Sequence, residues 1–449
     1  MEDCPRLSPA AIIQDVGLQG DTPIYLVLDP ERPAWLLVNN DGRRVLECCD
    51  GKRSAGDIAR IVAGKEGAGN YDEILQRVRA FLRLAKDHFL FMEPERSTPQ
   101  KNRFRGVALE ITARCNIHCM HCYLDAGTQK SASRELGLPA IQDILHSIKM
   151  AGGVSVAIGG GEPFLREDCF EIIDAALDEG LLVSVGTNGT LLDRQTVERL
   201  SRRPVKIQVS LDGASAETHD MIRGPGNFAA TVQGIDRLVE AGKGGDICLA
   251  CTVVQFNVGE VPALIDFALE RGIPVIQFPP LAAAGRAQIN YERLRLQHDQ
   301  LVAFWRYVSF RAETLKGKMD LLADCFSLSI DRAGVPFRCT IGSQLRIDPW
   351  GSVYPCQCFH GGDEFFLGNV AVTPLEEMVA GERLREIVAL CERRPTEIDD
   401  CGACRWMNFC GGGCMGNAYE ATGNVYAPQG CEARKKWLEA QLADRVAEI

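Results

Sequence analysis

Three closely spaced cysteines, Cys115, Cys119 and Cys122, follow a short apolar run at residues 107–111. Thiolates at this spacing can bind three irons of a 4Fe–4S cube, and with no fourth cysteine in the loop the fourth iron is left open for a ligand that is not protein. A zinc site is the alternative, although a closed structural zinc site requires four ligands, usually supplied by two pairs of residues that are close in sequence. Because His118 and His121 could complete a zinc set, the loop alone leaves both interpretations open.

The pattern C-N-x-x-C-x-H-C-Y at residues 115–123 resembles the cluster loop of radical S-adenosylmethionine (SAM) enzymes. The resemblance implies that the open iron is chelated by the amino and carboxylate groups of the methionine part of SAM. It also implies that the aromatic residue after the third cysteine, Tyr123, lies near the adenine. The rest of the chain is then expected to supply the other parts of such an enzyme.

A second group of cysteines lies in the C-terminal third of the chain. From spacing alone, a C-x2-C pair with later cysteines could also form zinc knuckles, and that alternative stays open. The order of these seven cysteines resembles the SPASM extension of radical SAM enzymes, which holds two auxiliary 4Fe–4S clusters. By that resemblance, the ligands of the nearer auxiliary cluster are Cys339, Cys356 and Cys414, and those of the outer cluster are Cys401, Cys404, Cys410 and Cys431.

The nearer cluster is one thiolate short in this assignment. Cys325, upstream of Cys339, is the candidate fourth ligand, and Cys358 is less favoured because it is only two residues from Cys356. If neither binds, an open iron remains that a substrate thiolate could occupy. The other cysteines match no ligand pattern and are interpreted as small buried apolar residues: Cys4, Cys48, Cys49, Cys169, Cys248, Cys251 and Cys391.

Alternating strand and helix patterns surround the first cysteine loop. They predict an α/β fold, a partial (β/α)6 barrel of parallel strands with helices outside. The predicted strands are residues 107–111, 154–158, 182–185, 206–211, 247–254 and 275–278, and the helices include 139–150, 168–179, 228–241 and 258–271.

Polar and glycine-rich motifs follow these strands, where barrel enzymes carry their chemistry. Taken singly, each residue is more often solvated or structural, and the glycine turn lacks the Gly-Lys-Ser/Thr of a phosphate loop. Their joint placement after consecutive strands favours a cofactor site, and the resemblance implies that they contact SAM. The candidate residues are Gly160, Gly161, Glu162, Asn188, Ser210, Asp212, Arg223 and Arg286.

The first 96 residues read as a separate unit. Its pattern predicts a winged-helix-like domain. The predicted elements are a hairpin at residues 24–28 and 35–38, a helix at 40–49, a second helix capped by Ser54 with Asp57 at its third position, a third helix from Tyr71 and a closing strand at 89–91. DNA binding would be its default function. Charge argues against that, because residues 1–100 carry 13 basic and 16 acidic side chains.

The segment from L-L-V-N-N-D-G-R-R to S-A-G-D-I-A resembles the peptide-chaperone domain of the pyrroloquinoline-quinone pathway. The resemblance implies that residues 1–96 bind the leader of a ribosomally made precursor peptide as an added edge strand. A dimerisation or docking module is the alternative. The expected organisation is this domain, a linker at 97–103, the barrel at 104–315 and a cysteine-rich iron–sulfur domain at 316–449.

Composition sets the cellular context. The net charge of −11 argues against a general nucleic-acid surface, and no apolar run approaches the roughly 18 residues that span a bilayer. The acidic N-terminus lacks a signal-peptide core, so the protein is expected to be cytoplasmic without a membrane partner. Nineteen cysteines in a large chain without a leader therefore indicate metal ligation rather than disulfides.

Together these features predict a radical SAM enzyme with three 4Fe–4S clusters that forms a thioether or carbon–carbon crosslink in a precursor peptide. An external donor such as flavodoxin or ferredoxin would supply electrons. No residue identifies itself as the final proton or hydrogen donor. A related enzyme acting on a haem precursor or on a protein serine or cysteine is the alternative, and a metal-binding regulator is a further one.

Overall fold

The N-terminal part of the chain contains an antiparallel sheet. The computed structural model describes residues 4–19, 21–31, 34–64, 71–91, 104–127, 135–323 and 339–447. Within them the sheet has the order β1 (Ile12–Gln19), β2 (Thr22–Asp29) and β3 (Ala34–Asn39). The predicted β2–β3 hairpin is confirmed. Strand β1 was not predicted, because Asp15 and Gly17 interrupt its apolar pattern, and the structure has a bulge between them.

Three helices cover this sheet, α1 (Asn40–Glu47), α2 (Ala55–Ala63) and α3 (Tyr71–Asp87). Ser54 and Asp57 form the predicted capping box at the start of α2. The predicted strand at residues 89–91 is wrong. Phe89 has a φ of 58°, which a strand does not allow, and Phe91 makes only an isolated bridge to Leu7.

A parallel sheet forms the centre of the molecule. In the described residues its order is β10-β9-β8-β7-β6-β5-β4-β11, with every neighbouring pair parallel. The six predicted strands are all present, and no pairing joins β10 to β11 among these residues, so the barrel is partial, as predicted. The strands are β4 (Gly106–Thr112), β5 (Ser155–Gly160), β6 (Leu182–Thr187), β7 (Lys206–Ser210), β8 (Ile247–Ala250), β9 (Val275–Phe278), β10 (Asp320–Ala323) and β11 (Gln344–Ile347).

Amphipathic helices pack outside this sheet and contribute to one continuous apolar core. The four predicted barrel helices are confirmed within three residues at each end. The barrel helices are α4 (Leu138–Met150), α5 (Cys169–Asp178), α6 (Arg194–Ser201), α7 (Ala216–Arg223), α8 (Asn227–Glu240), α9 (Val261–Glu270), α10 (Gly285–Leu294) and α11 (His298–Thr314).

The cysteine-rich C-terminal part continues the barrel sheet. Strand β11 pairs in parallel with β4, and the short strands β12 (Ser352–Tyr354) and β13 (Gly368–Asn369) extend it in antiparallel fashion. Strand β10 also pairs with the barrel, so the sheet runs past the expected boundary at 315. The helices here are α12 (Leu375–Ala380), α13 (Glu382–Glu397), α14 (Asp399–Gly402), α15 (Met407–Cys410), α16 (Met415–Thr422) and α17 (Cys431–Ala447).

The N-terminal sheet packs directly against this cysteine-rich part. Leu26 and Leu28 of β2 share a small core with Phe409 and Leu438. Asn408 also donates a hydrogen bond of 2.7 Å to the Pro30 carbonyl. The expected linker at 97–103 and the candidate ligand Cys325 lie outside the described residues, so the predicted domain limits and that ligand stay predictions. No helix in the described ranges has the length and hydrophobicity needed to cross a membrane.

Candidate functional site

The first cysteine loop lies directly after β4, at the C-terminal edge of the barrel. Cys115 and Cys119 are buried, and Cys122 packs against them in a small apolar cluster. Each sulfur accepts an N–H hydrogen bond: Asn188 Nδ2 lies 3.8 Å from Cys115 Sγ, Arg223 Nη1 lies 3.8 Å from Cys119 Sγ, and Ala126 N lies 3.4 Å from Cys122 Sγ. Donors aimed at all three sulfurs favour thiolates.

Burial works against free thiolates in this loop. It raises the pKa of the Cys119 thiol to about 12, although the Arg223 charge opposes that rise. Burial also raises the pKa of Cys115. A free thiol here stays protonated at neutral pH, and a bound metal centre must displace that proton. The raised pKa values therefore argue against a free thiolate nucleophile in this loop.

The glycine turn after β5 holds the start of this loop. Gly161 N donates to Thr112 O and Glu162 N donates to Arg114 O, each at 2.8 Å. A Cβ on Gly160 would lie 2.3 Å from Thr112 O, and one on Gly161 would lie 2.1 Å from Arg114 O. Only glycine permits this approach, and Gly160 also has a φ of 123°.

Glu162 is a fully buried carboxylate at the same edge of the sheet. It accepts hydrogen bonds from Thr187 Oγ1 at 2.9 Å and from Asn188 N at 2.8 Å. Burial raises the pKa of Glu162 to about 7, although these donors oppose the shift. The structure therefore places Glu162 and Asn188 together beside Cys115, as expected of candidate cofactor contacts.

Asp212 and Arg223 form a buried ion pair next to the loop. Arg223 Nε lies 2.5 Å from Asp212 Oδ2, and His121 Nε2 lies 2.5 Å from the same oxygen. Burial opposes ionisation, but the charges of Arg223 and His121 hold the pKa of Asp212 below its ordinary value. Ser210 is half-buried at the end of β7. The sequence singled out His121 only as an alternative zinc ligand, whereas the structure pairs it with Asp212.

Arg286 clamps the backbone of the cysteine loop. Its Nε donates to Cys119 O at 3.0 Å, and its Nη1 donates to Ala126 O and to Asp125 Oδ1, each at 2.8 Å. Its backbone N donates to Cys122 O at 2.9 Å. The side chain predicted to act on the adenine side therefore also fixes the path of the loop.

The Tyr123 ring packs against the His360 ring of the C-terminal part, with centroids 4.7 Å apart. The Tyr123 side chain remains partly exposed at the edge of the barrel. This contact connects the first cysteine loop to the segment that follows Cys356.

The four cysteines expected to hold the outer cluster line one cavity, which also contains Trp406, Arg434 and Lys435. Burial raises the pKa of Cys401, while Lys435 opposes the smaller rise at Cys431. The structure thus brings together all four predicted thiols: Cys401, Cys404, Cys410 and Cys431.

The three cysteines expected to hold the nearer cluster also lie together. Cys414 packs against Cys339, and Cys339 shares a second apolar cluster with Cys356. Two further thiols lie beside this set, because Cys358 packs against Cys414 and Cys391 hydrogen-bonds to Cys339. Cys391 is buried, as predicted, but it is not remote from the candidate ligands.

Arg394 organises the backbone between the two auxiliary sites, and it was not predicted. Gly411, Gly412 and Gly413 have φ values of 63°, 71° and 79°, so their carbonyls turn to one side. The buried Arg394 guanidinium donates to all three carbonyls, at 3.4, 3.1 and 3.0 Å, and also to Ala427 O and Val425 O. The C-G-G-G-C motif was the available signal for a tight turn, but no local pattern identified its partner.

The thiol sets fit the cysteine ligation of iron–sulfur clusters. Four thiols line one cavity at the outer site, three lie together at the nearer site and three lie together in the first loop. In the described ranges, no group of three or more His, Cys, Asp or Glu side chains forms a site for a single metal ion.

Three protein families match successive parts of the chain. The radical SAM superfamily matches residues 109–268, and an iron–sulfur cluster-binding domain, SPASM, matches residues 339–405. Coenzyme PQQ synthesis protein D matches residues 25–90. The three matched regions correspond to the barrel, the cysteine-rich part and the N-terminal sheet with its helices.

Two curated relatives each match more than two thirds of the chain. Mycofactocin maturase MftC of Mycobacterium ulcerans is 33% identical over 68% of this chain and 81% of its own length. AdoMet-dependent heme synthase of Methanosarcina barkeri is 30% identical over 72% of this chain and 94% of its own length.

Solved structures share the fold. SuiB of Streptococcus suis bound to SAM has a TM-score of 0.61 at 16% identity, with 94% of this chain and 99% of SuiB covered. Native anSMEcpe with bound AdoMet has a TM-score of 0.61 at 19% identity, with 76% of this chain and 98% of anSMEcpe covered. The chain therefore belongs to the radical SAM superfamily, as an enzyme with a SPASM domain and a PqqD-type domain whose cofactors are SAM and several 4Fe–4S clusters.

Proposed function

We propose that this enzyme modifies a ribosomally made precursor peptide and forms a thioether or carbon–carbon crosslink in it. The N-terminal domain would bind the leader of the peptide, and the barrel would act on the core. Cys115, Cys119 and Cys122 would hold the SAM-binding cluster. The seven SPASM cysteines would hold two auxiliary clusters.

One observation carries the choice of a peptide substrate: the PqqD-type domain at residues 25–90. In the described residues the sheet that contains this match has two edge strands, β3 within the matched range and β1 before it. Edge strands expose unpaired backbone groups to which an extended peptide can add. The same sheet packs through Leu26 and Leu28 on the cysteine-rich part, which would keep a bound leader at a fixed distance from the catalytic barrel.

The relatives support the same choice. MftC is described as a maturase, and SuiB, which shares the fold, is described in complex with a precursor peptide, SuiA. The SuiB complex aligns with 95% of this chain at a TM-score of 0.59, so the N-terminal part is included in the shared architecture.

When bound, SAM and its reduced cluster supply a 5'-deoxyadenosyl radical that removes hydrogen from an unactivated carbon. The protein's part is to bind, orient and exclude water. Glu162 would orient the amino group of SAM, and the Asp212–Arg223 pair would orient its carboxylate and ribose. Arg286 would keep the loop, and with it Tyr123, in position on the adenine side.

The auxiliary clusters would accept the electron that is left when the crosslink closes, or hold a substrate cysteine. An external protein such as flavodoxin or ferredoxin would deliver the electron that starts each turnover. The cysteine-rich part lies against both the barrel and the N-terminal sheet, which suits a path for electrons away from a bound peptide.

A haem precursor is the second candidate substrate, because the heme synthase of M. barkeri is 30% identical over 72% of this chain. A haem precursor would have no need for the PqqD-type domain. A binding competition between a leader peptide and a haem precursor distinguishes the two candidate substrates, since only a peptide-modifying enzyme should bind a leader sequence.

The test is a titration of the full-length, cluster-loaded enzyme with the fluorescently labelled peptide encoded beside its gene. We expect saturable binding that an unlabelled leader fragment displaces and that a leaderless core peptide does not. Equal binding of the leaderless peptide, or displacement by a haem precursor instead of the leader, would contradict the proposal.

A further inference from the structure

We propose that Cys358 is the fourth thiolate ligand of the nearer auxiliary cluster, and that this cluster therefore has no open iron. The inference rests on the auxiliary clusters of the proposed function but not on the identity of the substrate. It reverses the preference for Cys325 that spacing suggested.

The first observation is the turn at Cys356. Residues 357 and 358 form a turn in which Phe359 N donates to Cys356 O at 3.3 Å. Within it, Cys358 N lies 3.4 Å from Cys356 Sγ. The turn therefore folds the backbone of Cys358 back onto the Cys356 thiol, so a separation of only two residues does not prevent shared ligation.

The second observation is the contact of Cys358 with the ligand from the opposite segment. The Cys358 side chain hydrogen-bonds to both Cys356 and Cys414, and Cys414 also packs against Cys339. One thiol thus touches two of the three predicted ligands and lies in the same small cluster as the third.

The third observation is Gly416, in the first turn of α16. A Cβ at this position would lie 2.7 Å from both Cys358 Cβ and Cys358 O. A glycine here allows the helix that begins at Cys414 to approach Cys358 closely. Any larger residue would force the two segments apart.

Cys391 is the competing thiol among the described residues, but it is placed differently. It lines a cavity together with Cys339, Arg394 and Asn408, and Cys356, Cys358 and Cys414 are not part of that lining. Cys391 hydrogen-bonds to one candidate ligand, Cys339, whereas Cys358 hydrogen-bonds to two. Cys391 therefore serves as a matched control for Cys358, since both are thiols beside the same cluster.

A cluster bound by four protein thiolates would act only in electron transfer. A cube whose irons are all bound by cysteine has no site for a substrate thiolate, so it would transfer electrons and would not hold the peptide. A crosslink would then close on a substrate cysteine that stays free of iron.

The experiment starts from a full-length variant lacking Cys115, Cys119 and Cys122, which should retain about eight irons in two cubes. Cys358→Ala, Cys391→Ala and Cys325→Ala are then added separately. Iron analysis and electron paramagnetic resonance (EPR) after oxidation are the readouts, together with the hyperfine coupling of isotopically labelled cyanide, which binds only an open iron.

We expect Cys358→Ala alone to lose about one iron on oxidation, to show a 3Fe–4S signal and to couple to cyanide. Cys391→Ala and Cys325→Ala should behave like the parent. Cys358→Ser should keep the full iron content with a changed reduction potential. If Cys358→Ala loses the whole cluster, Gly416→Ala should still produce the open-iron signal by displacing Cys358.

Cyanide coupling already present in the parent, or produced by Cys325→Ala and not by Cys358→Ala, would overturn the assignment. A parent variant with no auxiliary iron would instead contradict the clusters of the proposed function. The two failures are therefore distinguishable.

Discussion

Arg346 and Glu110 form a buried bidentate salt bridge that joins the cysteine-rich part to the first barrel strand. Arg346 Nε and Nη2 donate to the two Glu110 carboxylate oxygens at 2.7 and 2.8 Å. Nη1 of the same guanidinium donates to Phe359 O at 3.1 Å. Because β4 leads into the first cysteine loop and Phe359 follows Cys358, one side chain connects the two cysteine-bearing regions.

Removing this arginine should destabilise the protein strongly. Arg346→Met leaves Glu110 buried without its partner, which typically costs about 3–5 kcal/mol. The double variant Arg346→Met/Glu110→Leu should recover much of that loss, since no unpaired charge remains. Urea unfolding of the iron-free protein measures both. A cost below about 1 kcal/mol for the single variant would show that the pair does not hold the domains together.

Glu162 should make stability depend on pH. Its pKa is raised from 4.5 to about 7 by burial, so the folded state keeps a proton that the unfolded chain has lost. Stability should therefore fall as pH rises through that window. Glu162→Gln should flatten this dependence in thermal unfolding of iron-free protein between pH 5 and pH 7.5, roughly the window of the shift. The exposed Glu167→Gln is the control, and an unchanged slope in Glu162→Gln would refute the assignment.

Arg286 should control how firmly the first cluster is held. Arg286→Ala leaves the carbonyls of Cys119 and Ala126 without their donor, at a typical cost of about 1–3 kcal/mol for each group. We expect faster loss of iron from the first cluster to a chelator and weaker SAM binding, with the auxiliary clusters unaffected. Arg293→Ala on the exposed face of the same helix should leave both measurements unchanged. Equal rates of iron loss in the Arg286→Ala and Arg293→Ala variants would show that the Arg286 side chain does not stabilise the first cluster.

Arg394 should have the complementary effect on the auxiliary sites. Arg394→Met removes the donor shared by Gly411, Gly412 and Gly413, so the turn between Cys410 and Cys414 loses its anchor. Iron analysis should show loss of auxiliary iron with retention of the first cluster. The exposed neighbour substitution Arg393→Ala should retain all iron. Retention of auxiliary iron in Arg394→Met would contradict this role.

The sequence predicted the features that depend on local patterns. The barrel strands appear as short apolar runs, and the outer-cluster thiols were grouped by the resemblance of the cysteine order to the SPASM extension. The Arg346–Glu110 pair joins residues 236 positions apart, so no window of sequence contains both. Arg394 similarly contacts a turn that only the fold brings to it. The proximity of Cys358 to Cys414 depends on the turn after Cys356 and on the close approach that Gly416 allows. The spacing of the cysteines in the sequence does not reveal either feature.

A precursor peptide bound through the N-terminal domain is the proposed substrate of this radical SAM enzyme. The most direct measurement is mass spectrometry of the neighbouring encoded peptide after anaerobic reaction with the cluster-loaded enzyme, SAM and a reductant. We predict SAM-dependent formation of 5'-deoxyadenosine, with loss of two hydrogen atoms from the core for each crosslink and no reaction of a leaderless peptide. Deoxyadenosine formation with an unchanged peptide, and conversion of a haem precursor under the same conditions, would contradict the account.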